Sequence, residues 1–377
     1  MRSARRHSKW LDPDPIRHQV SELPEVKPDI TEYRRHALDC GCCGHTTRAA
    51  LPAGVPTRCF GPSVDATIAV LMGVYRLGKR PVVELMRDMY GLTMSVGSVI
   101  ACQKSASDAL AAPFDEAKDF VENAKVKHAD ETGWRENRKR AWLWAAVTTS
   151  VTLFMIQARR NTAAAQALLG KVCGILVTDR HGAYNFWSLA LRQVCWAHLK
   201  RDIVAMNERG GDSTVVATAM LFEVERIFVW WHRVRDRTLK RSSFQVYMRG
   251  LEKRFEELLD QGTKSSHAKT AGTCTKILAA APALWTFVRL EGVEPTNNIA
   301  EQRVRHGVLI RKISYGTHSE SGSRFIERIL TVHATLRSQH RSVLVFMRDA
   351  CRTLLNGAPP PSLLPQIHPV TALAIAA

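Results

Sequence analysis

The sequence predicts a mixed α/β protein with a sheet at its centre and helices on both sides of it in the chain. Two observations carry this. Between Lys125 and Ala197 the pattern turns strand-like. Val126, His128 and Asp130 share one strand face, residues 142–149 and 152–158 are aromatic or β-branched, residues 174–178 are almost wholly apolar, and residues 193–197 form one more short run. Before and after that block, apolar residues recur at helical spacing. Three strands, a helix, a strand and a further strand give the element order of a ribonuclease-H-like core.

The elements follow in order. Residues 1–35 are polar and Pro-bearing, without a sustained period, and are expected to form an irregular arm. Residues 36–60 hold His36, Cys40, Cys42, Cys43, His45 and Cys59. Cys40 and Cys43, followed by Gly44, have the spacing of a zinc-knuckle turn. A second CxxC pair is missing. Cys59 with His36 or His45 would have to complete four ligands, and ordering them costs roughly 1–2 kcal/mol of backbone entropy per residue. Zinc is therefore expected to bind weakly or not at all, the alternative being a turn with free thiols.

Residues 61–122 read as a helical region. Ile68, Leu71, Met72 and Tyr75 make one core-facing stripe, and Val82, Leu85, Met86 and Met89 make another behind Pro81. Gly91 breaks the helix and Ser95 can cap the next, from Val96 to about Leu110. Helix, short turn, helix is the helix-turn-helix pattern, although hairpins that bind nothing share it. On a basic chain it reads as a DNA-binding region, with Lys104 as a contact. Residues 123–204 then form the first part of the core, where Asn161 caps a helix through Leu169 that Gly170 stops.

Residues 205–290 return to helical stripes, Leu221, Val224, Phe228 and Trp231, then Phe244, Met248, Leu251, Phe255 and Leu258, and read as a helical insertion. Residues 291–355 complete the core. One helix follows Asn298 and carries Glu301, Val304 and Val308, and two or more follow Ser321. Residues 356–377, with three consecutive prolines, are expected to be a flexible tail.

Composition narrows the class. Of 377 residues, 45% are hydrophobic, which excludes a disordered chain and allows two or three domains. The net charge of +18 favours a polyanionic partner, since each neutralised phosphate releases condensed counterions. Nine cysteines, mostly isolated, fit reduced thiols in a cytoplasm. No run reaches the roughly 18 apolar residues of a membrane span. The Arg-rich start has no apolar stretch of a signal peptide, and the absence of GxxxxGK[ST] argues against ATP use.

Three acids stand inside dense local motifs: Asp130 in Val126-Lys-His-Ala-Asp-Glu-Thr-Gly-Trp-Arg135, Asp179 at the end of an apolar strand, and Glu301 in Thr296-Asn-Asn-Ile-Ala-Glu301. Acids from three distant segments are what a site needs to hold two divalent cations about 4 Å apart for phosphoryl transfer. Each has a plainer reading. Asp130 and Asp179 could be turn carboxylates at strand ends. Glu301 could close a capping box with Asn298 as N-cap. His198, in Cys195-Trp-Ala-His198, invites a general-base role but also fits a packed, hydrogen-bonded histidine. Arg303 and Arg305 suit either charge balance on a helix or phosphate contacts.

Together, His128-Ala-Asp-Glu-Thr-Gly-Trp-Arg135, Thr178-Asp-Arg180 with Ala183-Tyr184, Cys195-Trp-Ala-His198 and Asn297-Asn-Ile-Ala-Glu301 resemble the signature segments of the IS66 family of bacterial insertion-sequence transposases. The resemblance runs from about Glu32 to about Met347. It implies a ribonuclease-H-like core and a DDE triad of Asp130, Asp179 and Glu301 that holds two Mg²⁺ or Mn²⁺ ions. It further implies cleavage and joining of double-stranded DNA by a homo-oligomer in the bacterial cytoplasm, at the nucleoid, with accessory element-encoded proteins as further partners. The chain departs from the family in two places: no CxxC pair precedes Cys40, and Gln302 stands where the family usually has Arg. A nuclease or resolvase that cuts without joining, and a catalytically silent DNA-binding protein, are the alternatives.

Overall fold

The computed structural model describes residues 16–365. A five-stranded mixed sheet lies at the centre, with strand order β5-β4-β3-β6-β7: β3 (Val126–Glu136), β4 (Lys139–Val147), β5 (Thr152–Gln157), β6 (Ile175–Thr178) and β7 (Arg192–Val194). β3, β4 and β5 are antiparallel neighbours, and β6 and β7 add in parallel beside β3. The three-strand meander, the helix and the two further strands appear in the predicted order. Helix α5 (Thr162–Leu169) links β5 to β6, and Asn161 caps it by accepting from the Ala164 amide at 3.1 Å.

Ahead of the sheet stand a small hairpin, β1 (Ala37–Asp39) with β2 (Thr46–Arg48), and four helices: α1 (Pro62–Gly73), α2 (Lys79–Tyr90), α3 (Val96–Ala109) and α4 (Ala111–Glu122). Ser95 caps α3 as its sequence position requires, accepting from Ser98 at 3.1 Å. Two stripes are shorter than their spacing suggests. α1 stops at Gly73 and leaves Tyr75 exposed, and Met89 is exposed at the end of α2. After β7 come α6 (Trp196–Asn207), α7 (Gly211–Arg235), α8 (Arg241–Thr263), α9 (Ala268–Leu278), α10 (Thr286–Arg289), α11 (Asn298–Ser314), α12 (Glu320–Ser338) and α13 (Val343–Asn356). Residues of α6 to α10 share one apolar cluster with Ile175, Val177 and Val194 of the sheet, and all five predicted α8 positions lie in it. The helices between the second and third acids are thus packed onto the sheet through β6 and β7.

Two packing devices fix the frame around the acids. β5 is an edge strand, and α12 satisfies its outward amides with side chains one turn apart. Glu327 accepts from Ile156 at 2.6 Å, Thr331 from Phe154 at 3.0 Å and Thr335 from Thr152 at 3.0 Å. The edge is closed to further pairing. α11 lies close against the sheet because Gly307 has no side chain; a Cβ there would collide with Leu143 of β4.

The segment after α13 differs from the expected free tail. Leu363 is fully buried, its amide donates to Glu116 at 2.7 Å, and its carbonyl accepts from Gln339 at 3.0 Å. After the surface prolines the chain returns to the helices at Leu363. The rest of that stretch, 366–377, and the first part of the N-terminal arm, 1–15, lie outside the described residues.

Candidate active site

Asp130 lies in mid-strand. β3 continues past it to Glu136, so the strand-end turn reading of this acid does not hold. β6 runs parallel to β3 with His128 opposite Val177, and carrying that register two residues on sets Asp130 level with Asp179. Asp179 follows β6 directly. One of its carboxylate oxygens accepts from the His181 amide at 2.9 Å, so it does make a local turn with that oxygen. Its backbone carbonyl is held by Arg192 and by the Thr178 hydroxyl, both at 2.8 Å.

Glu301 comes from the first turn of α11, whose N-cap is Asn297 and not Asn298. That shift of one residue removes the capping box. The Asn297 amide donates to Cys195 Sγ at 3.1 Å instead of to Glu301. The Glu301 carboxylate faces α6, with Oε1 3.4 Å from His198 Nδ1 and 3.7 Å from the Arg201 guanidinium. Asn297 itself is buried and reaches β3. Its Nδ2 donates to the Ala129 carbonyl at 2.8 Å, and its Oδ1 lies 3.3 Å from His128 Nδ1. Three of the four sequence motifs therefore meet at one place, and the fourth supplies Asp179 on the neighbouring strand.

The electrostatics of this meeting are unfavourable for the acids alone. Asp130 is pushed up to about 7, first by burial, then by the charge of Glu131 and by those of Asp179 and Glu301. Glu131, which points the other way on β3, is paired with Arg160 at 2.6 Å and accepts from the Tyr184 hydroxyl. Asp130, Asp179 and Glu301 have no such cationic partner in common. His198 Nδ1 and Glu301 Oε1 are both shielded from water, and neither has a hydrogen bond; at 3.4 Å they face each other without the alignment of one. Cys195, His198 and Glu301 bring ligand atoms within 4.8 Å of one another. These three atoms can serve one cation, although a sulfur and an imidazole suit a softer ion than Mg²⁺, which takes oxygen ligands.

The Transposase IS66 family model matches residues 58–324, well over half of the chain. The chain belongs to the IS66 family of transposases. No curated protein matches it. The matched span contains all three acids, and Cys40 and Cys43 lie before it.

The remaining predicted residues of this IS66-family chain fall in different places. Arg303 and Arg305 are not the groups beside Glu301; His198 and Arg201 are. Two residues on, Arg303 is turned about 200° around the helix. It stands near the His306–His333 pair, whose rings are 5.5 Å apart, and with Arg76 and Arg337 helps hold His333 at about 4, where burial is the main cause. Arg305 is exposed. Lys104 is exposed on α3 and pairs with Asp108 at 3.1 Å. Cys40 and Cys43 bracket the β1–β2 turn, exposed, and the Cys40 thiol is lowered to about 7 by the backbone amides of Cys42 and Cys43. Among the described residues, only Cys195, His198 and Glu301 gather three such groups closely enough for one ion.

Asn297 lies within a quoted motif and Arg201 three residues beyond another, yet nothing in their spacing gives them a role. Asn297 acts through contacts to a strand far away in sequence, and Arg201 through an ion pair across two helices. Only tertiary structure creates either one.

Proposed function

We propose that this IS66-family chain is a DDE transposase that cuts and rejoins duplex DNA at a ribonuclease-H-like core, with Asp130, Asp179 and Glu301 as its ligands for Mg²⁺ or Mn²⁺. One observation carries the reading: the parallel register of β3 and β6 sets Asp130 level with Asp179, although the two come from distant segments. The strand order and the family fit the same core. When bound, such a cation activates water and stabilises the charge that builds on the phosphoryl oxygens.

The residues divide the work. In this reading Asp130 and Asp179, level with each other by strand register, and Glu301 from the first turn of α11 draw together on the cation, whereas without it only Cys195, His198 and Glu301 lie within 4.8 Å of one another among the described residues. Asn297 and Cys195 set the position of the Glu301 helix. His198 stands beside Glu301 without a hydrogen bond to it, and a protein base is not required in this chemistry. In cleavage, a water oxygen bonds to phosphorus as the P–O3′ bond breaks, and the leaving oxygen takes up a proton to become a 3′-hydroxyl. In joining, that hydroxyl bonds to a target phosphorus and loses its proton as a target P–O3′ bond breaks, and the leaving oxygen takes up a proton to become a new 3′-hydroxyl. α2 and α3, joined by a turn at the left-handed Gly91, serve as the DNA-binding unit through Lys104, with Arg303 and Arg305 on α11 as further phosphate contacts.

The deciding experiment replaces Asp130 or Asp179 with Asn. Mg²⁺-dependent cleavage should fall by at least about a hundredfold while duplex affinity stays near wild type, because ligand charge is lost but phosphate contacts are kept. Wild-type cleavage by both variants would overturn the assignment. A strand-transfer assay with 3′-hydroxyl ends separates this reading from cutting without joining.

A further inference from the structure

The β3–β4 hairpin carries a concavity of about 560 Å³ lined by Gly133, Trp134, Arg135, Arg138, Arg140 and Arg311. Four guanidinium groups and no carboxylate line it. Like charges brought together in this way repel unless an anion joins them. The cleft is also held in place. Arg311 donates to the Gly133 carbonyl and lies 3.5 Å from the Thr132 hydroxyl. The Arg140 guanidinium stacks 4.9 Å from the Trp142 ring centre. The hairpin tip is tied to the loop after α11, with Asn137 donating to Thr317 at 2.8 Å and Thr317 to Arg135 at 2.9 Å. Gly316 takes a left-handed φ of 108° so that its backbone can lie against the Arg135 carbonyl. Asn137 and Arg138 form the turn, both with positive φ (47° and 62°), a conformation that a two-residue hairpin turn requires.

We propose that this arginine cleft binds the sugar–phosphate backbone of duplex DNA, at a point on the duplex several base pairs from the phosphate at Asp130. The inference rests on the transposase reading for its partner, and on the cleft alone for its chemistry. β3 and α11 each run from the acids to the cleft. Arg135 is five residues beyond Asp130 on the strand, about 17 Å. Arg311 is ten residues beyond Glu301 on the helix, about 15 Å. At about 3.4 Å of rise per base pair, that separation is four to five base pairs of a duplex lying along both elements. Guanidinium forks suit phosphate oxygens, and four of them match a repeating polyanion better than a single small anion.

The test compares wild type, Arg138→Gln/Arg140→Gln and Asp130→Asn, measuring binding to a random-sequence 30-bp duplex across salt concentrations without metal and, separately, cleavage with Mg²⁺. Loss of two phosphate contacts should flatten the log K against log[salt] slope by about 1.8, with weaker binding on every sequence. Unchanged thermal unfolding confirms that the double variant folds; Arg138→Glu alone, which changes a single exposed turn residue, should reduce affinity in the same direction if the double variant does not. An unchanged slope in folded variants overturns the cleft. The two readings fail separately: wild-type cleavage by Asp130→Asn sinks the catalytic assignment with the slope result standing, and an unchanged slope beside a dead Asp130→Asn sinks only the cleft. Strong binding of inorganic phosphate with no effect on duplex would overturn the choice of partner.

Discussion

Asn297 fastens the helix of one acid to the strand of another: its side-chain amide donates at 2.8 Å to the carbonyl of Ala129, the residue before Asp130. Its own backbone amide is taken by Cys195, and its Oδ1 faces His128. One buried side chain therefore sets the separation of β3, α6 and α11, the three elements that converge on Glu301.

Asn297→Ala should lower both stability and activity. It leaves the Ala129 carbonyl without its donor in a buried site, which costs about 1–3 kcal/mol. Denaturant midpoints should fall by that amount at unchanged slope. Cleavage should fall further than the folded fraction accounts for, since Glu301 loses its registration. Full activity per folded molecule would show that Asn297 serves the fold alone.

A second prediction concerns pH. Asp130 and Glu327 are both raised to about 7, mainly by burial. Each therefore holds a proton in the native state that the unfolded chain has already released. Metal-free stability from these groups is fully present below about pH 4 and is lost as pH rises towards 7. Mg²⁺ competes with the proton on Asp130, so its stabilising effect should be small near pH 5 and large near pH 8. In thermal unfolding, Asp130→Asn should abolish the Mg²⁺ gain and raise metal-free stability near pH 8. Glu327→Gln should flatten part of the pH slope and keep the Mg²⁺ gain. An equal Mg²⁺ effect in wild type and Asp130→Asn would refute the ligand role.

The elements of this fold were legible because their signals are local. Asn161 and Ser95 cap the helices that their spacing marks, and the run before Asp179 is as buried as its apolar composition requires. The site was legible only as motifs. Which acid paired with which cation could not be read, because Glu301 meets α6 residues a hundred positions earlier in the chain and not its basic neighbours on α11. The cap of α11 was misplaced by one residue because two asparagines stand together, and burial against β3 decides between them. The arginine cleft is invisible in sequence, since Arg311 joins Arg135, Arg138 and Arg140 only when α11 packs on the hairpin.

The edge of the sheet gives a third prediction. Thr331→Val keeps shape but removes the acceptor for the Phe154 amide, which is buried on β5. An orphaned buried amide should destabilise the chain by about 1–3 kcal/mol. Hydrogen exchange at Phe154 should quicken ahead of the other β5 amides. A loss below roughly 0.5 kcal/mol would mean that the strand edge is satisfied in some other way.

The last prediction concerns α3. Its solvent strip is Val96, Ile100, Lys104 and Asp108, and the opposite face packs on its neighbours through Val99, Cys102 and Ala106. Lys104 is held at 3.1 Å by Asp108, an exposed pair worth only about 0.3–0.5 kcal/mol on a helix. A DNA phosphate can therefore take Lys104 from Asp108 at little cost. If α3 faces the duplex, Lys104→Ala should weaken binding on all sequences and reduce the salt slope by about 0.9. Asp108→Asn should act in the opposite sense and tighten binding, because it removes both the competing acceptor and a charge that repels phosphate. The pair of opposite signs is diagnostic, since a purely structural helix would lose stability in both variants without separating their affinities. Wild-type affinity and slope in both would return α2 and α3 to a packed helical hairpin with no DNA on its outer face.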